Sequence, residues 1–218
     1  MELRKSIKKY TVNDFEILDI IGIGTHAQVH FVKNINSGKY FAMKIIKKKE
    51  VVKYKQVDHI LNEINILHMI DHPFIVKLNY AFQSGDRLFL ILEYCAGGDL
   101  AQHLQREKRF SEERAKIYLC EIILALEDLH KRDIIFRDLK PDNVVLDSEG
   151  HALLTDFGLS KEGVLDNKGA KSFCGSIAYL APEMLKRTGH GKSVDWYLLG
   201  VLFYEMLVGI PPYFANNK

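Results

Sequence analysis

Three cysteines, one tryptophan and five prolines in 218 residues leave little of the chemistry that builds small disulfide-bonded or metal-built domains. Cys95, Cys120 and Cys174 lack metal-ligand spacing, and an odd count argues against a disulfide framework. A reducing, cytosolic setting, open to the nucleus, is therefore expected. No uninterrupted apolar run is long enough to span a bilayer, and no secretory segment is visible. Charge of one sign is scarce too: 30 basic residues stand against 28 acidic ones, a net charge of +2 that points to neither nucleic acid nor an acidic membrane as partner. The lysine clusters, Lys47-Lys48-Lys49 and Arg4, Lys5, Lys8 and Lys9, read as solvated surface. Internal repeats and low-complexity tracts are missing. What remains, at 47% hydrophobic residues, is enough apolar material for a core in one domain or two lobes.

The first third reads mainly as strands, over 15–21, 29–32 and 41–46, with a turn at Asn36-Ser37-Gly38. An amphipathic helix is expected over 58–69, with Ile60, Ile64 and Leu67 on the face that meets the sheet; His72-Pro73 ends it. Strand-like runs over 75–82 and 88–93 flank the turn Ser84-Gly85-Asp86, and Gly97-Gly98 marks a connection. Beyond it the pattern turns helical. Ser111 is an N-cap candidate, Glu112 and Glu113 suit the positive end of a helix dipole, and Tyr118, Ile122, Leu126 and Leu129 recur at helical spacing. A last helix is expected from Ser193 through Met206, stopped by Gly209 before Pro211-Pro212. Strands first and helices after suggest an α+β protein with a small β-rich lobe joined to a helical one.

Gly22-Ile-Gly-Thr-His-Ala-Gln-Val29 lies between two strands, where glycines let backbone N–H groups approach phosphate oxygens. Taken alone, it reads more simply as a hairpin turn. A strand rather than a helix follows, which excludes a dinucleotide-binding crossover. Lys44 is flanked by core-facing residues and needs a partner, for which Glu63 is the natural choice; two snorkelling surface charges are the plain alternative. Asp138, Lys140 and Asn143 fall within one short stretch, and Asp156-Phe157-Gly158 begins thirteen residues after Asn143. Each aspartate alone could cap a turn. Together they supply a base, a cation and two oxygen-bearing metal ligands, the set that phosphoryl transfer from ATP requires.

These motifs resemble those of the eukaryotic protein kinase domain. More narrowly, the chain is similar to the AGC group of serine/threonine kinases, which includes the cyclic-nucleotide-dependent, Akt-like and ribosomal-S6-type kinases. The resemblance rests on Glu93-Tyr-Cys-Ala-Gly-Gly-Asp-Leu100, Phe136-Arg-Asp-Leu-Lys-Pro-Asp-Asn143, Ser172-Phe-Cys-Gly-Ser176, Tyr179-Leu-Ala-Pro-Glu183, Ser193-Val-Asp-Trp196 and Gly209-Ile-Pro-Pro212. It implies a two-lobed kinase-like fold: an N-terminal extension over 1–14, an N-lobe over 15–93, a hinge over 94–98 and a partial helical C-lobe over 99–218.

The resemblance also implies roles. Ile21, Gly22, Gly24, Ala27 and Val29 would cover ATP, Ala42, Val29 and Val145 would sandwich adenine, and Glu93 and Cys95 would bond it through their backbone, with Leu92 as gatekeeper. Lys44, paired to Glu63, would hold the α- and β-phosphates. Asp138 would accept the proton of the substrate hydroxyl, Lys140 would steady the transferred phosphate, and Asn143 and Asp156 would hold Mg2+. Ser172 matches an activation-loop phosphosite served by an upstream kinase, and Arg137, Lys161 and His59 match the residues that grip its phosphate. Asp99, Asp142 and Glu205 match acidic positions that read basic residues in a protein substrate, and Ser176 fits serine/threonine specificity. Three departures stand out. Ala27 replaces the third loop glycine, Phe136 replaces His or Tyr and is expected to pack under Phe157, and Ile177-Ala178 replaces Pro-Glu. The helical lobe of the family continues beyond the segment matched by 193–208, so Trp196, Leu199 and Phe203 are expected to lack cover. A non-catalytic nucleotide-binding module is the alternative reading, and a small-molecule phosphotransferase is disfavoured by the polypeptide-like segment 172–183.

Overall fold

The computed structural model describes residues 10–24, 27–165, 169–170 and 175–214. They divide into two compact units. One holds residues up to Val57 together with 78–94; the other holds 58–77 and everything from Cys95 onward.

The first unit is a five-stranded antiparallel sheet in the order β1-β2-β3-β5-β4, formed by β1 (Phe15–Ile23), β2 (Ala27–Asn34), β3 (Tyr40–Lys47), β4 (Leu78–Ser84) and β5 (Arg87–Glu93). Alternation along β3 builds its core. Phe41, Met43 and Ile45 point to one face and pack with Phe15, Val32, Phe89 and Ile91, while Ala42, Lys44 and Ile46 point to the other. Tyr10, ahead of the first strand, lies on this core, its ring centroid 4.0 Å from that of Tyr80. A short helix unexpected from the sequence, α1 (Lys48–Lys53), follows β3 and buries only Val51. The strand expected over 75–82 starts only at Leu78, because residues 74–76 pair with Leu154 inside the second unit, Val76 N donating to Leu154 O at 3.0 Å and Leu154 N to Phe74 O at 2.9 Å.

In the second unit, α2 (Val57–Met69) buries Glu63, Ile66 and Leu67 rather than the expected Ile60-Ile64-Leu67 stripe, so Ile66 replaces Ile60 and Ile64 as the anchor. A three-stranded sheet, β6 (Gly98–Asp99), β7 (Val144–Leu146) and β8 (Ala152–Leu154), is followed around by α3 (Leu100–Glu107), α4 (Glu112–Lys131), α5 (Pro182–Lys186) and α6 (Ser193–Val208). Helix α4 begins where the sequence placed it: the Ser111 hydroxyl accepts from Arg114 N at 3.3 Å, and Tyr118, Ile122, Leu126 and Leu129 are buried. Each such aliphatic side chain contributes roughly 1.5–3 kcal/mol on burial. Helix α6 is apolar on most sides and buries Val194, Leu198, Leu199, Val201, Leu202 and Met206. Gly209 stops it at φ 93°, and a Cβ there would lie 2.3 Å from Lys108 O. Leu199 is thus covered and Phe203 half-buried; of the three residues expected to lack cover, only Trp196 is exposed. Among the described residues no helix is long and apolar enough to cross a membrane.

Candidate active site

The expected catalytic residues are gathered by one loop of the second unit. Residues 134–143 run from the end of α4 into β7, and the loop is suspended from the buried carboxylate of Asp195 on α6. That carboxylate accepts from Phe136 N at 2.9 Å, Arg137 N at 2.8 Å and His130 Nε2 at 2.8 Å. Sequence reasoning gave Asp195 no role. Its only signal was an acid in the first turn of a mostly apolar helix, where a buried charge is costly unless paired. Arg137 adopts φ 69°, in the left-handed region that non-glycine residues enter at a cost of order 1–3 kcal/mol. The Asp195 bonds on either side of that turn hold it there.

Next in the chain, Asp138 is 7% exposed. Its Oδ2 accepts from Lys140 Nζ at 3.0 Å and Asn143 Nδ2 at 2.8 Å, and Asn143 Nδ2 also donates to Asp138 O at 2.7 Å. Burial pushes the Asp138 carboxyl above the usual range; Lys140 and Asn143 oppose the shift, and the Asp156 charge adds to it. Thr155 N donates to Asn143 O at 3.0 Å, which ties Asn143 to the residue before Asp156 across the mouth of the β7–β8 hairpin. Asp156 sits at φ 62°, a second left-handed residue. Behind it, Phe157 and Phe136 meet edge to face at 5.1 Å, both fully buried, which is the packing the Phe136 substitution implied.

These residues fit a divalent cation. Two carboxylates close enough to raise a pKa favour one, and Asn143 spends its amide hydrogens inside the loop, which leaves its carbonyl oxygen for a hard metal. Among the described residues no group of three or more His, Cys, Asp or Glu is placed to hold a metal by itself. Such an ion would complete its shell with phosphate and water, as Mg2+ does.

The expected nucleotide-binding residues of the first unit lie on β1 to β3 and β5. Gly22 pairs with Val29, Val29 with Lys44, and Ala42 with Leu92. Gly24 N donates to Ala27 O at 2.8 Å, closing the loop, and Ala27 opens β2 opposite Ile46. Neither Gly22 nor Gly24 has positive φ, so the glycines are not there to allow a left-handed turn. Ile21 is exposed, Lys44 half-buried, and Glu93 ends β5 opposite Phe41. Glu63, Cys95 and Val145 belong to the second unit, where Val145 pairs with Asp99 and Leu153.

The three residues expected to grip a phosphate are engaged with main-chain carbonyls. Arg137 Nε donates to Leu159 O at 2.6 Å, Lys161 Nζ to Gly169 O at 2.7 Å, and His59 Nδ1 lies 2.8 Å from Gly158 O. Ser172 itself lies outside the described residues. Of the three acids expected to read substrate, Asp99 caps α3 by accepting from Gln102 N at 2.8 Å. Asp142 and Glu205 share a groove of about 490 Å³ with Tyr179, Leu104, Lys108 and Ile210. The Tyr179 hydroxyl donates to Glu205, whose carboxyl is pushed up by burial and by Asp142 and held down by that bond.

Comparison with known proteins gives the family. The protein kinase domain profile matches residues 15–218. Protein kinase 2 of Dictyostelium discoideum is 51% identical over 213 residues, covering 98% of this chain and 44% of that protein. Protein kinase 3 of the same organism is 46% identical over 224 residues, and human RAC-beta serine/threonine-protein kinase 46% over 213. The chain spans 25% of the length of the former and 44% of the latter. The chain belongs to the protein kinase domain family. Its RAC-family relatives support the AGC group of serine/threonine kinases, and enzymes of this family use ATP and Mg2+.

Proposed function

We propose that this chain transfers the γ-phosphate of ATP to serine or threonine hydroxyls of protein substrates. The observation that carries the reading is Asp138: a nearly buried carboxylate, raised in pKa, held on one oxygen by Lys140 and Asn143. The substrate hydroxyl donates its proton towards Asp138 as its oxygen attacks the γ-phosphorus. The bond from that phosphorus to the β-bridging oxygen breaks, and ADP leaves with the electron pair. Lys140 offers a cation to the moving phosphoryl oxygens. Mg2+ held by Asn143 and Asp156 would neutralise the phosphate charge. Lys44 would hold the α- and β-phosphates and pair with Glu63, and residues 22–29 would cover them.

Substrates with basic residues are favoured in this reading, through Asp142 and Glu205. Asp99 contributes less, its carboxylate being committed to capping α3. Phosphorylation of Ser172 by an upstream kinase would raise activity, with Arg137, Lys161 and His59 exchanging carbonyl partners for phosphate oxygens. The test is Mg·ATP-dependent phosphorylation of a serine peptide with upstream arginines. Wild type is expected to transfer, and Asp138→Asn to lose about 10²–10⁴-fold in kcat. A folded wild-type sample that binds ATP and transfers nothing would overturn the reading in favour of a binding module.

A further inference from the structure

Helix α2 is bonded to the metal-holding segment at two points one helical turn apart. His59 Nδ1 lies 2.8 Å from Gly158 O, and Asn62 Nδ2 donates to Ser160 O at 2.7 Å. Residues 59 and 62 are three apart and so share a helix face, and the two carbonyls are two residues apart on the facing strand of chain. The neighbouring Glu63 points the same way: it is 1% exposed, and its Oε2 lies 4.0 Å from where a Cβ on Gly158 would sit. Each carbonyl belongs to the turn that begins at Asp156. Ser160 N closes that turn on Phe157 O at 3.0 Å, and Lys161 N then pairs with Ile135 O at 2.9 Å beside the catalytic loop.

His59 has a competing duty in the proposed function, since it is one of the residues that would turn to a phosphate on Ser172. Asn62 has none. Among the described residues its carboxamide bonds a main-chain carbonyl, which can only accept, so that bond does not depend on which partner His59 takes.

We propose that Asn62 is a positioning residue that fixes α2, and with it Glu63, to the Asp156–Ser160 turn independently of the phosphorylation state of Ser172. The proposal rests on the kinase reading for its effect on turnover but not for its effect on structure. Asn62→Asp keeps the size of the side chain and removes the donor; Asn62→Gln keeps a donor on a longer stem. Two measurements test it. In steady-state assays Asn62→Asp is expected to raise the Mg2+ concentration for half-maximal rate about five- to tenfold and to lower kcat by a similar factor. The peptide KM should stay unchanged, and Asn62→Gln should recover part of the loss. In hydrogen exchange on the unliganded protein, the amides of Ser160 and Lys161 should exchange about tenfold faster in Asn62→Asp, with those of β3 and β5 unchanged.

Unchanged exchange at residues 160 and 161 would overturn the proposal, as would a loss of melting temperature with no change in Mg2+ requirement. A wild type without transferase activity would defeat the kinase reading, while the exchange measurement would still decide whether the fastening exists.

Discussion

Asp138 and Lys140 set the pH at which the proposed base works. Burial raises the Asp138 carboxyl and Lys140 draws it back down, so deleting the cation must leave the carboxyl higher still. Lys140→Met is expected to move the acid limb of the kcat/KM profile to higher pH, since that limb reports the free enzyme's base. A limb unmoved in the variant would mean that another group controls it. At this scale the sequence was most legible. Asp138, Lys140, Asn143 and Asp156 announce themselves by spacing, because a loop can bring together only what lies close in the chain. Asp195 did not, since it lies 57 residues from Asp138 and meets the loop only after α6 has packed on α4. Asp195→Ala would leave Phe136 N and Arg137 N buried without this acceptor, each costing about 1–3 kcal/mol. Urea unfolding should show the combined loss, accompanied by loss of transfer activity. The His130–Asp195 contact makes His130→Ala a milder version of the same lesion.

Among elements, the β7–β8 hairpin matters most, since it separates the two metal-ligand candidates. Its turn is fixed by Asp147, whose Oδ1 accepts from Glu149 N and His151 N, and its second strand is held by Glu121 of α4. The buried Glu121 carboxylate accepts from Ala152 N at 2.7 Å and meets His151 Nδ1 at 2.7 Å. That contact raises the His151 pKa above its ordinary value of 6.5, with Asp147 and Glu149 adding to the effect. A raised folded-state pKa contributes stability that is fully present below the unfolded value and is lost as pH climbs through the folded one. Thermal stability is therefore expected to fall from about pH 6.5 upward through the raised value, and His151→Gln should flatten that dependence. An equal slope in the variant would assign it elsewhere. Neither Glu121 nor His151 stood out in the sequence. Glu121 interrupts the apolar face of α4 between Tyr118 and Ala125, and periodicity names no partner for an acid placed there. Helix α4 itself was readable because a cap, a dipole-matched first turn and a 3.6-residue stripe agree; α3, eight residues long and capped by an aspartate the resemblance had assigned to substrate, offered no such agreement.

At the scale of the whole chain, the two units differ in what the sequence could reveal. The sheet of the first follows from alternation and turn residues, and its strands differ from expectation mostly at their ends. The grouping of α2 with the second unit was invisible, because periodicity identifies a buried face without saying what buries it. Composition gives the same answer for a covered and an uncovered apolar surface, and here the structure separates them. Trp196, Tyr204 and Val208 on α6 and Ile210, Tyr213 and Phe214 after it are exposed, while Val194, Leu198, Leu199, Val201, Leu202 and Met206 of α6 are buried. Apolar side chains concentrated in this way bind hydrophobic probes and favour association. Ile210→Ser combined with Tyr213→Ser is expected to lower anilinonaphthalene sulfonate fluorescence and raise the solubility limit. Because Tyr213 is 73% and Ile210 50% exposed, the unfolding midpoint should move by no more than about 0.5 kcal/mol in equivalent stability. Dye binding unchanged in the double variant would place the sticky surface elsewhere, with Ile17, Ile20 and Ile23 of β1 the next to be replaced. The two patches can be told apart by salt: β1 carries Glu16 next to Ile17 and Asp19 between Ile17 and Ile20, so association through it should respond to ionic strength, whereas residues 210–214 carry no charge and should not.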